Sequence, residues 1–111
     1  MNRPQPLMTE AQVANTATLY YTSPAGTRTT ISRLTLCNTT ASSCWISVWK
    51  VSSGGSAADG TKFTQEKAVL PGETWTDPHL IGHNLHPGDM IYMQAQTASA
   101  LTAHLSGTLT A

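Results

Sequence analysis

Residues 101–110 alternate strictly between apolar or small and polar side chains. The apolar or small positions are Leu101, Ala103, Leu105, Gly107 and Leu109. A repeat of two places successive side chains on opposite faces of a β-strand, with one face in a core and the other in water. The helical repeat is nearly absent elsewhere, apart from a capping-box spacing at residues 9–12 that predicts one short helical turn near residues 9–14. The chain is therefore predicted to be all-β.

Proline–glycine turns divide the chain into short segments of this kind. Pro71-Gly72 and Pro87-Gly88 suit type II turns, because proline presets φ at the second turn position and glycine accepts a positive φ at the third. We predict strands at residues 17–21, 28–37, 44–51, 63–70, 74–80, 89–96 and 101–110. In a chain of 111 residues, seven short strands with regular turns predict one β-sandwich domain, of jelly-roll or immunoglobulin-like type.

The first sixteen residues differ from the rest. Pro4 and Pro6 cannot donate a ladder hydrogen bond and fit poorly in a central strand. Leu7, Met8 and Val13 are apolar but have no periodic partner of their own. We therefore expect residues 1–16 to be an extended attachment arm that contributes little to the sandwich, which occupies residues 17–111.

The third predicted strand is apolar on both faces. Trp45, Trp49 and Val51 share one face, whereas Ile46 and Val48 share the other. One face belongs to the core, and the second must be covered either by a loop of the same chain or by a neighbouring subunit. Charged residues make up 11% of the chain, against about 25% in ordinary soluble domains. We therefore predict a homo-oligomer, with a trimer as the first expectation. The interface candidates are Leu7, Met8, Val13, Trp45, Ile46, Val48 and Trp49.

Several functional classes are disfavoured. Six basic residues balance six acidic ones, so the chain lacks the cationic surplus that nucleic acids and anionic membranes require. No apolar run is long enough to span a membrane, and we expect no signal peptide, so synthesis in a reducing cytoplasm is the expectation. There is no Gly-x-Ser-x-Gly pattern and no paired carboxylate motif. We expect no catalytic residues and no cofactor.

Histidines and cysteines are the candidate metal ligands and cross-links of this chain. His79, His83 and His86 lie within eight residues, but their spacing matches no zinc signature, so we expect no metal site. Cys37 and Cys44 would face each other if the second and third strands formed a hairpin, and a disulfide could then join them. A reducing compartment favours the alternative, two small thiols.

Three segments carry a resemblance to a known group of proteins. They are residues 18–27 (TLYYTSPAGT), residues 31–39 (ISRLTLCNT) and residues 80–91 (LIGHNLHPGDMI), followed by the alanine-rich residues 94–98. Together they resemble small β-sandwich virion structural proteins of tailed bacteriophages, over residues 17–110. The resemblance rests on turn and strand patterns and implies no active site.

The resemblance implies a structural role in the virion. Head decoration is the first expectation, and a collar, head–tail or tail accessory subunit is the alternative. The implied partners are the major capsid protein, or neck and tail proteins, of the same particle. A carbohydrate-binding adhesin module is an alternative of another class, because exposed rings could form a sugar-binding platform. The aromatic residues that could supply it are Tyr20, Tyr21, Trp45, Trp49, Trp75 and Tyr92.

Overall fold

Strands account for nearly all the regular structure of the chain. The computed structural model describes residues 2–8, 11–78 and 80–110. Within them lie β1 (Asn2–Pro6), β2 (Ala11–Gln12), β3 (Thr18–Thr22), β4 (Arg28–Asn38), β5 (Cys44–Val51), β6 (Lys62–Val69), β7 (Thr74–Thr76), β8 (Asn84–Leu85), β9 (Met90–Ala95) and β10 (Leu101–Thr110). One 3-10 turn at Asp59–Thr61 precedes β6.

The strands form two antiparallel sheets that pack face to face. Sheet A has the order β1-β10-β4-β7, with β2 also paired to β10 and β8 also paired to β4. Sheet B has the order β3-β9-β5-β6. The chain passes from one sheet to the other at every connection except β1–β2, β5–β6 and β7–β8. This is jelly-roll topology. The predicted all-β sandwich is confirmed, and the strand order corresponds to the first of its two predicted types.

The strand count is ten rather than the predicted seven. All seven predicted strands are present, but the one predicted at 74–80 ends at Thr76. Pro78 lies two residues beyond that end and has no N–H to continue a ladder. The additional strands are β1, β2 and β8, which are short or contain proline. The helical turn predicted near residues 9–14 lies partly outside the described residues, and Ala11 and Gln12 pair with β10 as strand instead.

The core lies between the inner faces of β4 and β10 in sheet A and of β5 and β9 in sheet B. Burial is nearly complete for the inner side chains of these four strands, namely Ile31, Leu34, Leu36, Ile46, Val48, Ile91, Met93, Ala95, Leu101, Ala103 and Leu105. The alternation read from residues 101–110 is confirmed, since every second residue of β10 points inward.

The N-terminal segment differs from the predicted attachment arm. β1 pairs with β10 over five residue pairs, from Asn2↔Thr110 to Pro6↔Ser106. The backbone N–H groups of Leu7 and Val13 donate to the carbonyl oxygens of Leu105 and Leu101, both at 2.8 Å. Both side chains belong to the core. The prolines are accommodated because β1 is an edge strand, where a missing donor leaves no ladder bond unmade.

The contact between the N-terminal segment and β10 depends on a glycine in β10. Gly107 lies opposite the bulge in β4. A Cβ atom there would overlap the carbonyl oxygen of Thr30 and lie 2.9 Å from Leu7 Cδ1. Glycine is therefore required for β1, β4 and β10 to approach one another this closely.

Truncating Leu7 to Ala is expected to lower the free energy of unfolding by about 2–4 kcal/mol, because it opens a cavity in the core. Leu70→Ala is the matched control, since Leu70 is 57% exposed, and it should cost less than about 0.5 kcal/mol. Urea denaturation followed by tryptophan fluorescence measures both. Equal midpoints for the two variants would contradict the placement of Leu7 in the core.

Gly107→Ala is expected to destabilise the protein by about 1–3 kcal/mol, because the added methyl group forces the backbone of β4 or the side chain of Leu7 to shift. Thr108→Ala, at the adjacent outward position, is the control and should remain within about 0.5 kcal/mol of the parent. Thermal denaturation of the two variants side by side measures the difference. A wild-type melting temperature for Gly107→Ala would show that the strands have room for a Cβ.

Candidate functional site

The interface candidates on β5 divide into two groups. Ile46 and Val48 point into the core and have no exposed area. Trp45 and Trp49 point to the outer face of sheet B, where Trp45 is half-buried and Trp49 is 6% exposed. Both faces of β5 are therefore apolar, as predicted. Only the outer face remains as a candidate surface.

The covering of Trp49 comes from the same chain. Lys62, on the neighbouring β6, places its Nζ atom 5.1 Å from the centroid of the Trp49 ring. A lysine over an indole face gains cation–π attraction while its aliphatic stem shields the ring from water. Lys62 is one part of this cover. The loop after β5 is another, since Val51 on the same face is fully buried and a Cβ atom at Gly55 would lie 3.1 Å from Val51 Cγ1.

A row of side chains crosses the outer face of sheet B. The strand register aligns Leu19 of β3 with Tyr92 of β9, Tyr92 with Trp49, and Trp49 with Lys62. We call these four residues the aromatic row. Its exposure increases toward β3, where Leu19 is 44% exposed and is one of three exposed large apolar residues among those described. Its three uncharged members form an apolar strip that opens to solvent at the β3 edge, and Lys62 lies at the other end.

Trp45 lies on the same face, nearer the other end of β5. It pairs with Ala68 of β6, and its backbone N–H donates to Gln96 Oε1 at 3.3 Å. With Tyr92 it forms the half-exposed aromatic part of this face. The sequence predicted Trp45 as a surface candidate. It did not predict Leu19, nor that Tyr92 lies beside Trp49, because strand register is not visible in the sequence.

The N-terminal interface candidates do not form a free surface. Leu7 and Val13 lie in the core, and Met8 is half-buried against it. These three residues were expected to contact a partner. In the structure they contact the sandwich itself, because the N–H groups of Leu7 and Val13 bond to β10 and hold the segment over the core.

The outer face of sheet A has a different chemistry. Hydroxyl groups occupy most of its positions, namely Thr30, Thr35, Thr74, Thr76, Thr102, Ser106, Thr108 and Thr110. Neighbouring strands are linked across it, as where Thr30 Oγ1 donates to Asn84 Oδ1 at 2.6 Å. Arg28 and Arg33 are its exposed charged residues on β4. We call this the hydroxyl face.

A shallow cleft of about 340 Å³ lies at the end of sheet A. Gly26, Arg28, Pro87 and Thr110 line it. Among the described lining residues Arg28 is the charged one, and it is exposed, so this part of the lining offers few of the convergent polar groups typical of a small-molecule site.

The histidines do not come together in the described part of the chain. His79 lies outside the described residues. The His83 ring packs edge-on against Phe63, with ring centroids 4.7 Å apart, and His86 is exposed. No group of three His, Cys, Asp or Glu side chains that could hold a metal occurs among the described residues.

Where burial is described, the buried carboxylates are Asp77 and Asp89, and they serve as hydrogen-bond acceptors that join separate segments. Asp89 accepts from the backbone N–H of Ser53 at 3.1 Å and of His86 at 3.0 Å. It thereby ties the glycine- and serine-rich loop to the turn before β9. Asp77 Oδ2 accepts from the Thr64 hydroxyl group on β6, so it connects the end of β7 in sheet A to sheet B.

The two cysteines are free thiols in different sheets. Cys37 is half-buried on β4, and Cys44 is buried on β5. The hairpin that would have brought them together does not form, because β4 and β5 cross between sheets. The turn between them is organised instead by Asn38. Its side chain makes four hydrogen bonds, to Ser42 O, Val69 O and the backbone N–H and hydroxyl of Thr40.

No protein-family model matches the chain, and neither a curated protein nor a solved structure was found that is significantly similar to it. Among the described residues, no helix is long and apolar enough to cross a membrane.

Asn38→Ala is expected to lower the free energy of unfolding by about 2–4 kcal/mol, because Asn38 is fully buried and its loss leaves buried backbone groups without partners. Asn84→Ala is the control, since Asn84 is exposed and should cost less than about 1 kcal/mol. Guanidinium denaturation of both variants measures the difference. A smaller loss for Asn38→Ala than for Asn84→Ala would contradict the role of Asn38 in the turn.

Proposed function

We propose that the protein is a structural subunit of a bacteriophage virion, of the head-decoration type, which self-associates and attaches to the particle surface. The structural observation that supports this proposal best is the outer face of sheet B. Its aromatic row ends at Leu19, which is 44% exposed, in a chain with 11% charged residues. Apolar strips of this kind favour contact with another protein surface.

The second outer face supports the same proposal. The hydroxyl face is wide, bears few charges and presents hydroxyl groups that both donate and accept hydrogen bonds. The low overall charge of 11% suits a small subunit that lies among many neighbours, because like-charge repulsion between copies is then small. Homo-oligomerisation and attachment to the major capsid protein are both part of the proposal.

The fold is compatible with this role but is not specific to it. Jelly rolls occur in viral capsid proteins and in lectins, and a fold by itself does not determine a function. The fold therefore does not decide between a virion protein and a lectin. The resemblance of residues 17–110 to small virion proteins favours the virion protein. A collar, head–tail or tail accessory subunit would use the same surfaces at another position on the particle.

A carbohydrate-binding adhesin module is the second candidate. It is favoured by the half-exposed rings of Trp45 and Tyr92 on one face, since aromatic rings offer a rigid apolar surface with a polar group at the edge. Trp75 is a weaker contributor, because it packs against the core and Lys67 Nζ lies 5.6 Å from its ring centroid.

The proposal predicts that the protein copurifies with phage particles and labels the head. The measurement is mass spectrometry of density-gradient-purified virions, together with gold-labelled antibody in electron microscopy. Label at the neck or tail would support the accessory subunit instead. Absence from purified particles, combined with saturable binding of the isolated protein to a glycan array, would contradict virion attachment and favour the adhesin.

A further inference from the structure

The outer face of sheet B changes in chemistry along its two central strands. Next to the aromatic row, Gln94 of β9 lies opposite Ser47 of β5. In the following row Gln96 lies beside Trp45, and the Gln96 N–H donates to the Trp45 carbonyl oxygen at 2.9 Å. Polar side chains thus separate the ring of Tyr92 from that of Trp45. We call this part of the face the amide end, which consists of Trp45, Tyr92, Gln94 and Gln96.

Backbone groups hold both glutamine side chains of the amide end. Gln94 Nε2 donates to the carbonyl oxygen of Asn15 at 3.2 Å. Gln96 Oε1 accepts from the backbone N–H of Trp45 at 3.3 Å. Gln94 Oε1, an acceptor, and Gln96 Nε2, a donor, have no hydrogen-bond partner among the described residues. Because these side chains are already ordered, little rotamer freedom is lost when a ligand bonds to them.

The two rings of the amide end stand on the central strands and are half-buried. Neither the Trp45 indole N–H nor the Tyr92 hydroxyl bonds to another residue in the described part of the chain. No buried side-chain nitrogen or oxygen there lacks a partner, so both of these polar groups reach solvent. The register places Tyr92 opposite Trp49, four residues from Trp45, so the two backbone positions are about 13 Å apart along the strands.

The chemistry of the amide end matches a neutral sugar. None of its four residues is charged, and the neighbour of Trp45 on β6 is the small, exposed Ala68. A pyranose ring has an apolar C–H face that packs on an aromatic ring, and hydroxyl groups at its rim that both donate and accept hydrogen bonds. A fixed acceptor and a fixed donor beside a ring are the few oriented polar groups that such a ligand needs.

We propose that the amide end binds a neutral oligosaccharide. One pyranose unit packs on the Trp45 ring, while its hydroxyl groups donate to Gln94 Oε1 and accept from Gln96 Nε2. A further unit of the same oligosaccharide reaches the ring of Tyr92. A site that is open on one side and forms few hydrogen bonds binds weakly, with a Kd on the order of 1 mM.

This inference specifies the ligand and the contact atoms of the carbohydrate-binding candidate, and it rests on that second candidate function. It does not depend on the virion role, since a virion subunit and a separate adhesin would carry the same site. The site also lies beside the exposed Leu19 end of the aromatic row rather than on it, so that end remains available for contact with another protein.

NMR titration of the isotope-labelled full chain tests the site. The probes are cellotriose, maltotriose and acetylated chitotriose, all neutral. At least one is expected to shift the Trp45 indole signal and the side-chain amide signals of Gln94 and Gln96 in a saturable way. Sialyllactose, which carries a carboxylate, should bind no more tightly than lactose, because the amide end contains no cation. Tighter binding of sialyllactose would overturn the assignment of a neutral ligand.

Variants locate the contact. Gln94→Ala should weaken binding about tenfold, because the ligand loses a hydrogen bond. Trp45→Ala should weaken it by about tenfold or more, whereas Trp45→Phe, which keeps a ring and the packing, should weaken it less. Gln12→Ala is the matched control. Gln12 lies on sheet A and its amide also donates to a backbone carbonyl oxygen, that of Ser99 at 3.2 Å, so its loss should leave the affinity unchanged.

Two results would overturn the site. One is the absence of a saturable shift at the Trp45, Gln94 and Gln96 signals with every trisaccharide up to its solubility limit. The other is binding that Trp45→Phe and Gln94→Ala leave unchanged, which would place the sugar elsewhere on the chain and retain the carbohydrate-binding candidate. Failure of the virion role is a separate observation, absence from purified particles, and it would not alter the titration.

Discussion

The pairing of the C-terminal strand β10 with the N-terminal strands β1 and β2 is the interaction on which the rest of the structure depends. β10 bonds to β4 on one side and to β1 and β2 on the other. The N–H groups of Leu7 and Val13 extend this pairing beyond β1 and β2, and their side chains complete the core. Gly107 permits the close approach. With only 111 residues, the chain has little core to spare, so an unpaired N-terminal segment would leave apolar area exposed.

The pairing of the N-terminal segment with β10 determines which surfaces remain available to other molecules. Because Leu7, Val13, Ile46 and Val48 are part of the core, they cannot also form an interface in the folded chain. What remains outside are the hydroxyl face of sheet A, the aromatic row of sheet B and the β3 edge. Their chemistry differs, with hydroxyl groups on one face and apolar rings on the other. The proposed decoration role uses the two outer faces.

Part of this arrangement could be predicted from local sequence patterns. The alternation in β10 and the proline–glycine turns are local signals, and the strands that they mark are present. β1 and β8 were not predicted. β1 contains two prolines and β8 has two residues, so neither has a local strand pattern, and each forms only because it pairs with a neighbouring strand. The two apolar faces of β5 were predicted, but the position of Lys62 over Trp49 depends on cross-strand register, which no local pattern encodes. The same limit explains why Leu19 was missed.

Amide hydrogen exchange at Leu7 and Val13, measured by NMR on the full chain, tests the pairing of the N-terminal segment with β10 most directly. Both N–H groups donate to carbonyl oxygens of β10. If the N-terminal segment is an integral part of the sandwich, their exchange requires global unfolding and should be as slow as that of the buried Asn38 in β4, whose N–H donates to the Glu73 carbonyl oxygen. Exchange at the rate of an unstructured peptide, while Asn38 remains protected, would contradict the account and restore the segment as a separate arm.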